Sequence, residues 1–436
     1  NDEKIPCLLY ADDLVLISDS KEGLQKRLDT LCTFCKDWCM EINVKKTKII
    51  IFNRSGRLLN ENFNVGNNSI ECVKQYKYLG IVIQNTGNFN EARKQLFQKG
   101  QKASFKLYKD LKSSNPPIKT LLHLFDHCIQ PIVTYGCENW GVINITSKRK
   151  NLSLYDIFKD WEFEKLNLKF CKYIIGVTKM CTNVAVLSEL GRYPLYINLL
   201  THMFMYWHRL ENSPSDLLKN AYAELKMIES KGQTSSNNSW LSNIIFYSEK
   251  LGIDLNICKN LGKNKFKNLL KKQLKLNFQN DWEKMRDFYL QNQGKLDTYF
   301  SFKKSFDYEN YLDLKHPQKH LLTKYRLSNH CLRIETGRHE RITNVCGKYE
   351  ILPRHERICL YCNTNCIENE MHFLLECPIY NNLRRDITDY IKKYPSLDSL
   401  NINDLFSWIM INEDSRFLSI LCAYLDKGLQ LRKSEN

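Results

Sequence analysis

Leu8-Leu9-Tyr10-Ala11-Asp12-Asp13-Leu14-Val15-Leu16-Ile17 is the stretch on which the reading of this chain turns. An apolar run stops at two adjacent acids and resumes as another apolar run. That pattern predicts two buried strands joined by a tight hairpin with carboxylates at its tip. A hairpin selected only for folding normally carries Asn-Gly or Asp-Gly, because those residues tolerate positive φ. No glycine is present here, so the acids read as selected for charge. Paired carboxylates at a strand end can hold divalent cations and serve phosphoryl transfer. The competing reading is a solvated turn, and four residues alone do not decide between them.

The flanking sequence weighs on that choice. Leu24, Leu28, Leu31, Phe34, Cys35 and Trp38 fall at helical spacing, which predicts an amphipathic helix packed on the strands. Met40 to Phe52 reads as a polar, basic turn around Asn43, Lys45, Lys46 and Thr47 that leads into a strand over Ile49–Phe52. Tyr76-Lys77-Tyr78-Leu79-Gly80-Ile81-Val82-Ile83 reads as a further strand pair. The order is strand, acidic turn, strand, helix, strand, hairpin.

With that order, the chain resembles a reverse transcriptase. Tyr10-Ala11-Asp12-Asp13 looks like the YxDD catalytic motif of the family's palm. Asn43-x-x-Lys46-Thr47 looks like the next palm motif, and Tyr78-Leu79-Gly80 resembles the primer-grip hairpin. The resemblance extends to the polyproteins of non-LTR (LINE-type) retrotransposons through Leu121–Gly141 and through Phe170–Trp207, which contains Glu189-Leu190-Gly191-Arg192-Tyr193-Pro194-Leu195. It is strong to about Leu210 and again from about Lys324 to Arg385, and weak between. It implies RNA-directed DNA synthesis, with Asp12 and Asp13 as Mg2+ ligands, Lys46 near the incoming nucleotide's phosphates, and Tyr10, Tyr78, Leu79 and Gly80 against primer and template. The family places a further catalytic aspartate and the fingers upstream of YxDD. The expectation is therefore a C-terminal fragment, inactive alone. Phe306-Asp307 is a Phe-Asp pair of similar look, but it lies downstream in a lysine-rich stretch that reads as helix, and Asp307 reads as an ordinary surface acid.

Composition fits such a partner. Lys and Arg number 64 against 48 Asp and Glu, for a net charge of +16 over 436 residues. That balance favours a polyanion, usually nucleic acid. No run of 18 apolar residues suggests a membrane span. The 17 cysteines are odd in number and spread through the chain, which reads as reduced thiols in nucleus or cytoplasm, consistent with a ribonucleoprotein and not a secreted protein. Cys32, Cys35 and Cys39 share a helix face with leucines and read as core. His123 and His127 form an ordinary i, i+4 pair.

Arg93, Lys94, Lys99, Lys102, Lys106, Lys109 and Lys112 recur along one expected helix, alternating with Phe97, Phe105, Leu107 and Leu111. A basic helix with an apolar back suits a thumb that tracks a duplex, with Lys99, Lys102 and Lys106 on phosphates. Pro116-Pro117 breaks the chain, and a second helix is expected from Ile118 to about Gln130. From about Asn151 the chain reads as helical, interrupted by one linker, Gly232–Ser239. Lys259 to Lys275 carries seven lysines around Leu261, Phe266, Leu269, Leu270 and Leu274, a basic amphipathic helix.

Near the end, Cys359-x2-Cys362, nine residues, then His372-x4-Cys377 has the ligand types and pairing of a closed structural zinc site. Cys366 is a rival ligand, and Cys346 or His355 could replace one. Lys348, Arg354, Arg357, Arg384 and Arg385 give it basic flanks. A CCHC knuckle resembling this one follows the polymerase in non-LTR elements. Arg-His-Glu-Arg occurs twice, at Arg338–Arg341 and Arg354–Arg357, without an evident role.

The expected architecture is α+β: a partial reverse-transcriptase palm over 1–87, a helical thumb over 88–150, a helical connector over 151–325 and a C-terminal zinc-knuckle region over 326–436. The expected partners are RNA template, DNA primer or target, and deoxynucleotides, with Mg2+ in the palm and Zn2+ in the knuckle. The alternative is a non-catalytic RNA- or DNA-binding module from a decayed or domesticated element.

Overall fold

The computed structural model describes residues 7–111, 116–230, 239–292, 294–343 and 349–434. Lys112, residues 232–238 of the linker, Cys346 and Lys348 lie outside the described residues. The chain divides into two compact units, Asn1–Leu96 and Phe97–Asn436.

The first unit is built from hairpins around one helix. Strands β1 (Leu8–Tyr10) and β2 (Asp13–Val15) pair antiparallel with Leu8 opposite Val15 and Tyr10 opposite Asp13. Helix α1 (Lys21–Asp37) starts where the Ser20 hydroxyl accepts the Gly23 N–H at 3.1 Å. Strands β3 (Phe63–Val65) and β4 (Asn68–Ile70) form a second hairpin, and β5 (Gln75–Tyr78) and β6 (Ile81–Gln84) a third. The core is small: Leu28, Ile49, Phe63, Val65, Ile70 and Cys72 are buried, with Leu16, Leu24, Cys32, Ile42 and Ile51 packed against them.

Three expectations need correcting here. Strands β1 and β2 are not buried: Leu9 is 68% and Tyr10 64% exposed. Among the described residues no further strand pairs with them, so a two-stranded ribbon leaves most of both faces to solvent. The stretch Ile49–Phe52 makes only one bridge, Ile49 to Cys72, rather than a strand. The helix α1 buries the ridge through Leu28, while Phe34 and Trp38 point outward, with their ring centroids 6.0 Å apart. The β3–β4 hairpin was not anticipated. Its signal was present in part, since Gly66, at φ 56°, and Asn67 make a turn pair after the alternating Phe63-Asn64-Val65.

Helix α2 (Asn90–Leu111) crosses the boundary between the units. Its buried stripe is Ala92, Leu96, Gly100 and Ser104 at every fourth position, not the expected Phe97, Phe105, Leu107 and Leu111. Phe105 is 73% exposed beside Lys102, Lys106 and Lys109. Small residues win the inner face because the neighbouring helices come close. A Cβ on Gly100 would stand 2.3 Å from Val133 Cγ1 and 3.1 Å from Leu166 Cδ2.

The second unit is a helical assembly. The helix expected over Ile118–Gln130 runs to Val133, with a π-helical turn at Phe125–Ile129. The helix Tyr196–Glu211 buries Leu199, Met203, Phe204 and Trp207, as its spacing predicts. The Glu189–Leu195 motif works as a clasp. Arg192 is buried, with its Nη2 2.7 Å from Asp126 and its Nε 2.7 Å from Asn167 Oδ1. Glu189, fully buried, accepts from Arg326 Nε at 2.6 Å and Tyr299 Oη at 2.9 Å. Arg326 also pairs with Glu309 at 2.7 Å and donates to the Met410 carbonyl. Each buried charge thus meets its opposite, the condition under which burial of ions is tolerated. Phe306 is buried and Asp307 exposed in a loop, not in the helix expected there.

Candidate metal centre and acidic turn

The acidic turn is geometrically plain. Ala11 and Asp12 form the turn, and Asp13 opens β2. Ala11 takes the left-handed conformation, φ 53°, that a glycine would accept without strain. The two carboxylates are exposed. Among the described residues no third carboxylate, thiol or imidazole stands with them to complete a donor group.

The basic turn is more tightly specified. Asn43 Oδ1 accepts the Lys46 N–H at 3.1 Å, and the Asn43 carbonyl accepts Thr47 N–H at 3.0 Å and Thr47 Oγ1 at 2.9 Å. This side-chain-to-backbone closure explains why Asn and Thr bracket the lysine. Tyr76 Oη donates to the Lys46 carbonyl at 3.1 Å, so strand β5 fixes the turn that carries Lys46. Tyr76 was not singled out from the sequence. The turn between β5 and β6 has Leu79 at φ 45° and Gly80 at φ 86°, both left-handed, the backbone of a type I′ hairpin. Tyr78 precedes it, half-buried.

On α2, Lys99, Lys102 and Lys106 are exposed. With Lys109 they occupy a sector of about 80° at 100° per residue.

The Cys/His group brings four potential metal donors together among the described residues. The donor atoms of Cys359, Cys362, His372 and Cys377 all lie within 4.8 Å of one another, and all four residues are buried. A tetrahedral Zn2+ with Zn–S of about 2.3 Å and Zn–N of about 2.0 Å sets its donors about 3.5–3.8 Å apart. The Cys362 Sγ to His372 Nε2 separation is already 3.4 Å. Of the rivals, the two among the described residues, Cys366 and His355, are exposed and outside the group.

The local fold explains the spacing. Cys359 N–H donates to the Cys366 carbonyl at 2.9 Å, and Ile358 bridges Ile367, which folds Cys359–Cys366 into a knuckle. In an α-helix, residues five apart point about 140° from each other. Here His372–Glu376 is a π-helical turn, and the Cys377 N–H closes on the His372 carbonyl at 2.7 Å. That turn brings His372 and Cys377 to the same side. His372 Nδ1 faces away from the thiols, 3.5 Å from Glu376 Oε2, with no hydrogen bond of its own. A carboxylate behind a ligating imidazole is the usual way of fixing its tautomer. Sequence reasoning missed Glu376, although the i, i+4 spacing from His372 was visible.

A second carboxylate stands behind Cys359. Glu368 Oε1 lies 3.6 Å from its Sγ, and Arg432 pairs with both Glu368 oxygens, the Nη2–Oε2 contact at 3.1 Å. Burial pushes the Cys362 thiol up, but hydrogen bonds from the Thr364 side chain and backbone, then from Cys359 and His372, bring it down to about 6. Burial raises Cys359 to about 12.

The expected basic flanks turn inward. Arg384 Nε donates to the Leu374 carbonyl at 2.7 Å and its Nη2 to the Cys377 carbonyl at 2.9 Å. Arg357 donates to the Leu352 and Ile334 carbonyls, and Arg354 pairs with Asp297 at 2.7 Å. They brace the frame of the knuckle, and of the named arginines only Arg385 is exposed. The first Arg-His-Glu-Arg copy ends at Arg341, which opens the strand Arg341–Thr343 paired antiparallel with Tyr349–Ile351, and the second copy follows that second strand.

Elsewhere, His127 Nδ1 lies 2.8 Å from the His123 carbonyl and both rings are exposed. None of the sixteen described cysteines forms a disulfide. No described helix is long and apolar enough to cross a membrane.

Residues 1–83 match the family model for reverse transcriptase (RNA-dependent DNA polymerase). The matched segment holds the acidic turn, the Asn43–Thr47 turn and the β5–β6 turn. The chain is 26% identical over 144 residues to the probable RNA-directed DNA polymerase from transposon BS of Drosophila melanogaster, covering 30% of this chain and 16% of that one. It is 29% identical over 158 residues to a transposon-derived protein of Caenorhabditis elegans, 35% and 55% of the two chains. It is 33% identical over 94 residues to a retrovirus-related Pol polyprotein from a type-1 retrotransposable element of Nasonia vitripennis, 20% and 9% of the two. The chain thus spans from under a tenth to about half the length of these relatives. No solved structure matches it.

Proposed function

We propose that the chain is part of the RNA-directed DNA polymerase of a non-LTR retrotransposon. The observation that carries this reading is the reverse-transcriptase match over residues 1–83, which contains Tyr10-Ala11-Asp12-Asp13 at a hairpin turn with both carboxylates free to solvent. In this reading a primer 3′-hydroxyl attacks the α-phosphate of a deoxynucleotide, a new P–O bond forms, and the bond to pyrophosphate breaks. Asp12 and Asp13 would hold Mg2+, which supplies charge neutralisation at the attacking and leaving oxygens. Lys46, on a turn fixed by Asn43 and Tyr76, would stand by the leaving pyrophosphate as electrostatic partner or proton donor. Tyr10 and the Tyr78-Leu79-Gly80 turn would contact primer and template. Lys99, Lys102 and Lys106, on the helix that opens the thumb, would take phosphates. Cys359, Cys362, His372 and Cys377 would bind one Zn2+ with no open position, a structural centre in a knuckle that grips RNA or target DNA. The setting would be a nuclear or cytoplasmic ribonucleoprotein.

A second reading, a non-catalytic nucleic-acid-binding module, draws on the Cys/His group, which assembles its four donors without any help from the acidic turn. The test is primer extension on a primed RNA template with Mg2+ and deoxynucleotides. It uses the longest in-frame product of the chain's own locus, wild type against Asp12→Asn/Asp13→Asn. Extension that disappears in the variant supports the polymerase. Equal extension by both overturns the role of the carboxylates. Template binding without extension by either protein favours the second reading.

A further inference from the structure

The longest helix of the chain, Lys263–Gln291, carries a charge pattern that neither the acidic turn nor the Cys/His group accounts for. Its inner face is a single ridge, Phe266, Leu270, Leu274, Phe278 and Trp282, each 2% exposed or less and each four residues from the next. Beside that ridge runs a second row at the same interval: Lys263, Lys267, Lys271 and Lys275. Successive members advance about 6 Å along the helix axis. Lys265 and Lys272 extend the charge onto the outermost face, and all six are exposed.

The charge is uncompensated. From Leu255 to Asn280 the sequence contains seven lysines and no aspartate or glutamate. Among the described residues, none of the six helix lysines forms an ion pair. Lys275 alone leans on a neighbour, 4.9 Å above the Tyr193 ring. Elsewhere in this unit lysines do find acids, as Lys303 does with Glu309 and Lys226 with Glu211. Six like charges over about 18 Å of a rigid helix repel one another, and an external polyanion removes that cost.

The kind of polyanion follows from what the face lacks. Proteins that hold single strands set aromatic rings between their basic residues, so that bases stack. On this half of the helix the exposed large side chains are Leu269 and Leu276, and the aromatic residues Phe266 and Phe278 are buried. The face offers point charges, the Tyr193 ring beside it is half-buried under Lys275, and lysine contacts to phosphate carry no sequence information. About 18 Å of duplex axis presents about ten phosphates.

We infer that the Lys263–Lys275 face of this helix is a docking surface for the phosphate backbone of double-stranded nucleic acid, bound without sequence preference. This rests on the nucleic-acid reading given above, and it adds a contact distinct from the acidic turn, the α2 lysines and the Cys/His centre.

The test compares full-chain wild type with Lys263→Gln/Lys267→Gln/Lys271→Gln, whose side chains are exposed and outside the buried ridge. Circular dichroism and Tm establish that the variant folds. Binding is measured by fluorescence anisotropy between 50 and 300 mM salt on two duplexes of unrelated sequence, on a single strand, and on vesicles rich in phosphatidylserine. The expected result is weaker binding of both duplexes and a plot of log affinity against log salt that is shallower by about 2 to 3, at roughly 0.9 per phosphate contact. An unchanged duplex slope overturns the proposal, as does a loss confined to the single strand or to vesicles. If wild type binds neither duplex nor single strand, the nucleic-acid reading itself fails. If wild type binds duplex and the variant matches it, only this surface fails.

Discussion

The acidic turn and the Cys/His centre are both short motifs made of metal-ligating residues, yet the protein builds them in opposite ways. Asp12 and Asp13 project from a two-stranded ribbon into solvent, with no third donor beside them among the described residues. Cys359, Cys362, His372 and Cys377 are buried, meet within 4.8 Å, and are backed by Glu376, Glu368 and Arg432. The difference matches the chemistry each donor set suits. A closed centre is finished by its own neighbourhood and contributes to folding. Exposed carboxylates contribute little to stability and leave room for a substrate. The contrast predicts that perturbing buried groups costs stability, while perturbing the turn costs none.

The largest effect belongs to the centre. In His372→Ala, metal analysis should show a fall from one zinc per chain to near none. The cooperative unfolding of residues around 358–380 should be lost, since structural zinc contributes on the order of 10 kcal/mol of coupled binding and folding. Retention of both would make the four residues an ordinary thiol-rich core. Next comes Arg326→Ala, which leaves Glu189 in the interior without its cation, while Glu309 keeps Lys303. Chemical denaturation should register a loss of about 3–5 kcal/mol, and a loss under 1 kcal/mol would mean that the clasp is not structural.

Glu164 is the exception among the buried groups, because there the charged form is the costly one. It is buried, its Oε1 accepts the Tyr196 N–H at 2.7 Å, and burial raises its carboxyl from 4.5 to about 7 against the opposing pull of that hydrogen bond. The folded state therefore holds a proton that the unfolded state releases earlier. Its contribution is complete below about pH 4.5 and is lost as pH rises to about 7. Glu164→Gln should flatten that slope and raise stability at pH 8 by about 3 kcal/mol, at about 1.36 kcal/mol per unit between 4.5 and about 7. An unchanged slope would show that the carboxyl titrates normally. The smallest effect is expected for Asp12→Asn/Asp13→Asn, with a change in unfolding free energy within about 0.5 kcal/mol. A Tm shift of several degrees would place those acids in the fold and dissolve the comparison.

What the sequence disclosed follows the same divide. The Cys/His cluster was legible because its donors lie within one short stretch, and C-x2-C with H-x4-C leaves few geometries. Two of its rivals, Cys366 and His355, could be set aside only in three dimensions, where both are exposed. The β5–β6 pair was legible from alternation and the Leu79-Gly80 turn. The burial of β1 and β2 was misjudged because apolar strands imply a covering layer, and periodicity does not show whether one is present. The inner face of α2 was misread for a related reason. Phe97, Phe105, Leu107 and Leu111 are the greasier residues, but the close approach of Val133 and Leu166 favours Gly100 and Ser104. The roles of Arg192 and Arg326 were not visible at all, since their partners lie up to 137 positions away.

The link between Glu368 and Arg432 sets an order of events during synthesis. The four sulfur and nitrogen donors are all present once residue 377 has been made, but the carboxylate behind Cys359 meets its guanidinium 64 positions later. A nascent chain paused between those points would hold all four donors while Glu368 had the Arg333 N–H but not yet Arg432, which comes with the helix Ser415–Ser434.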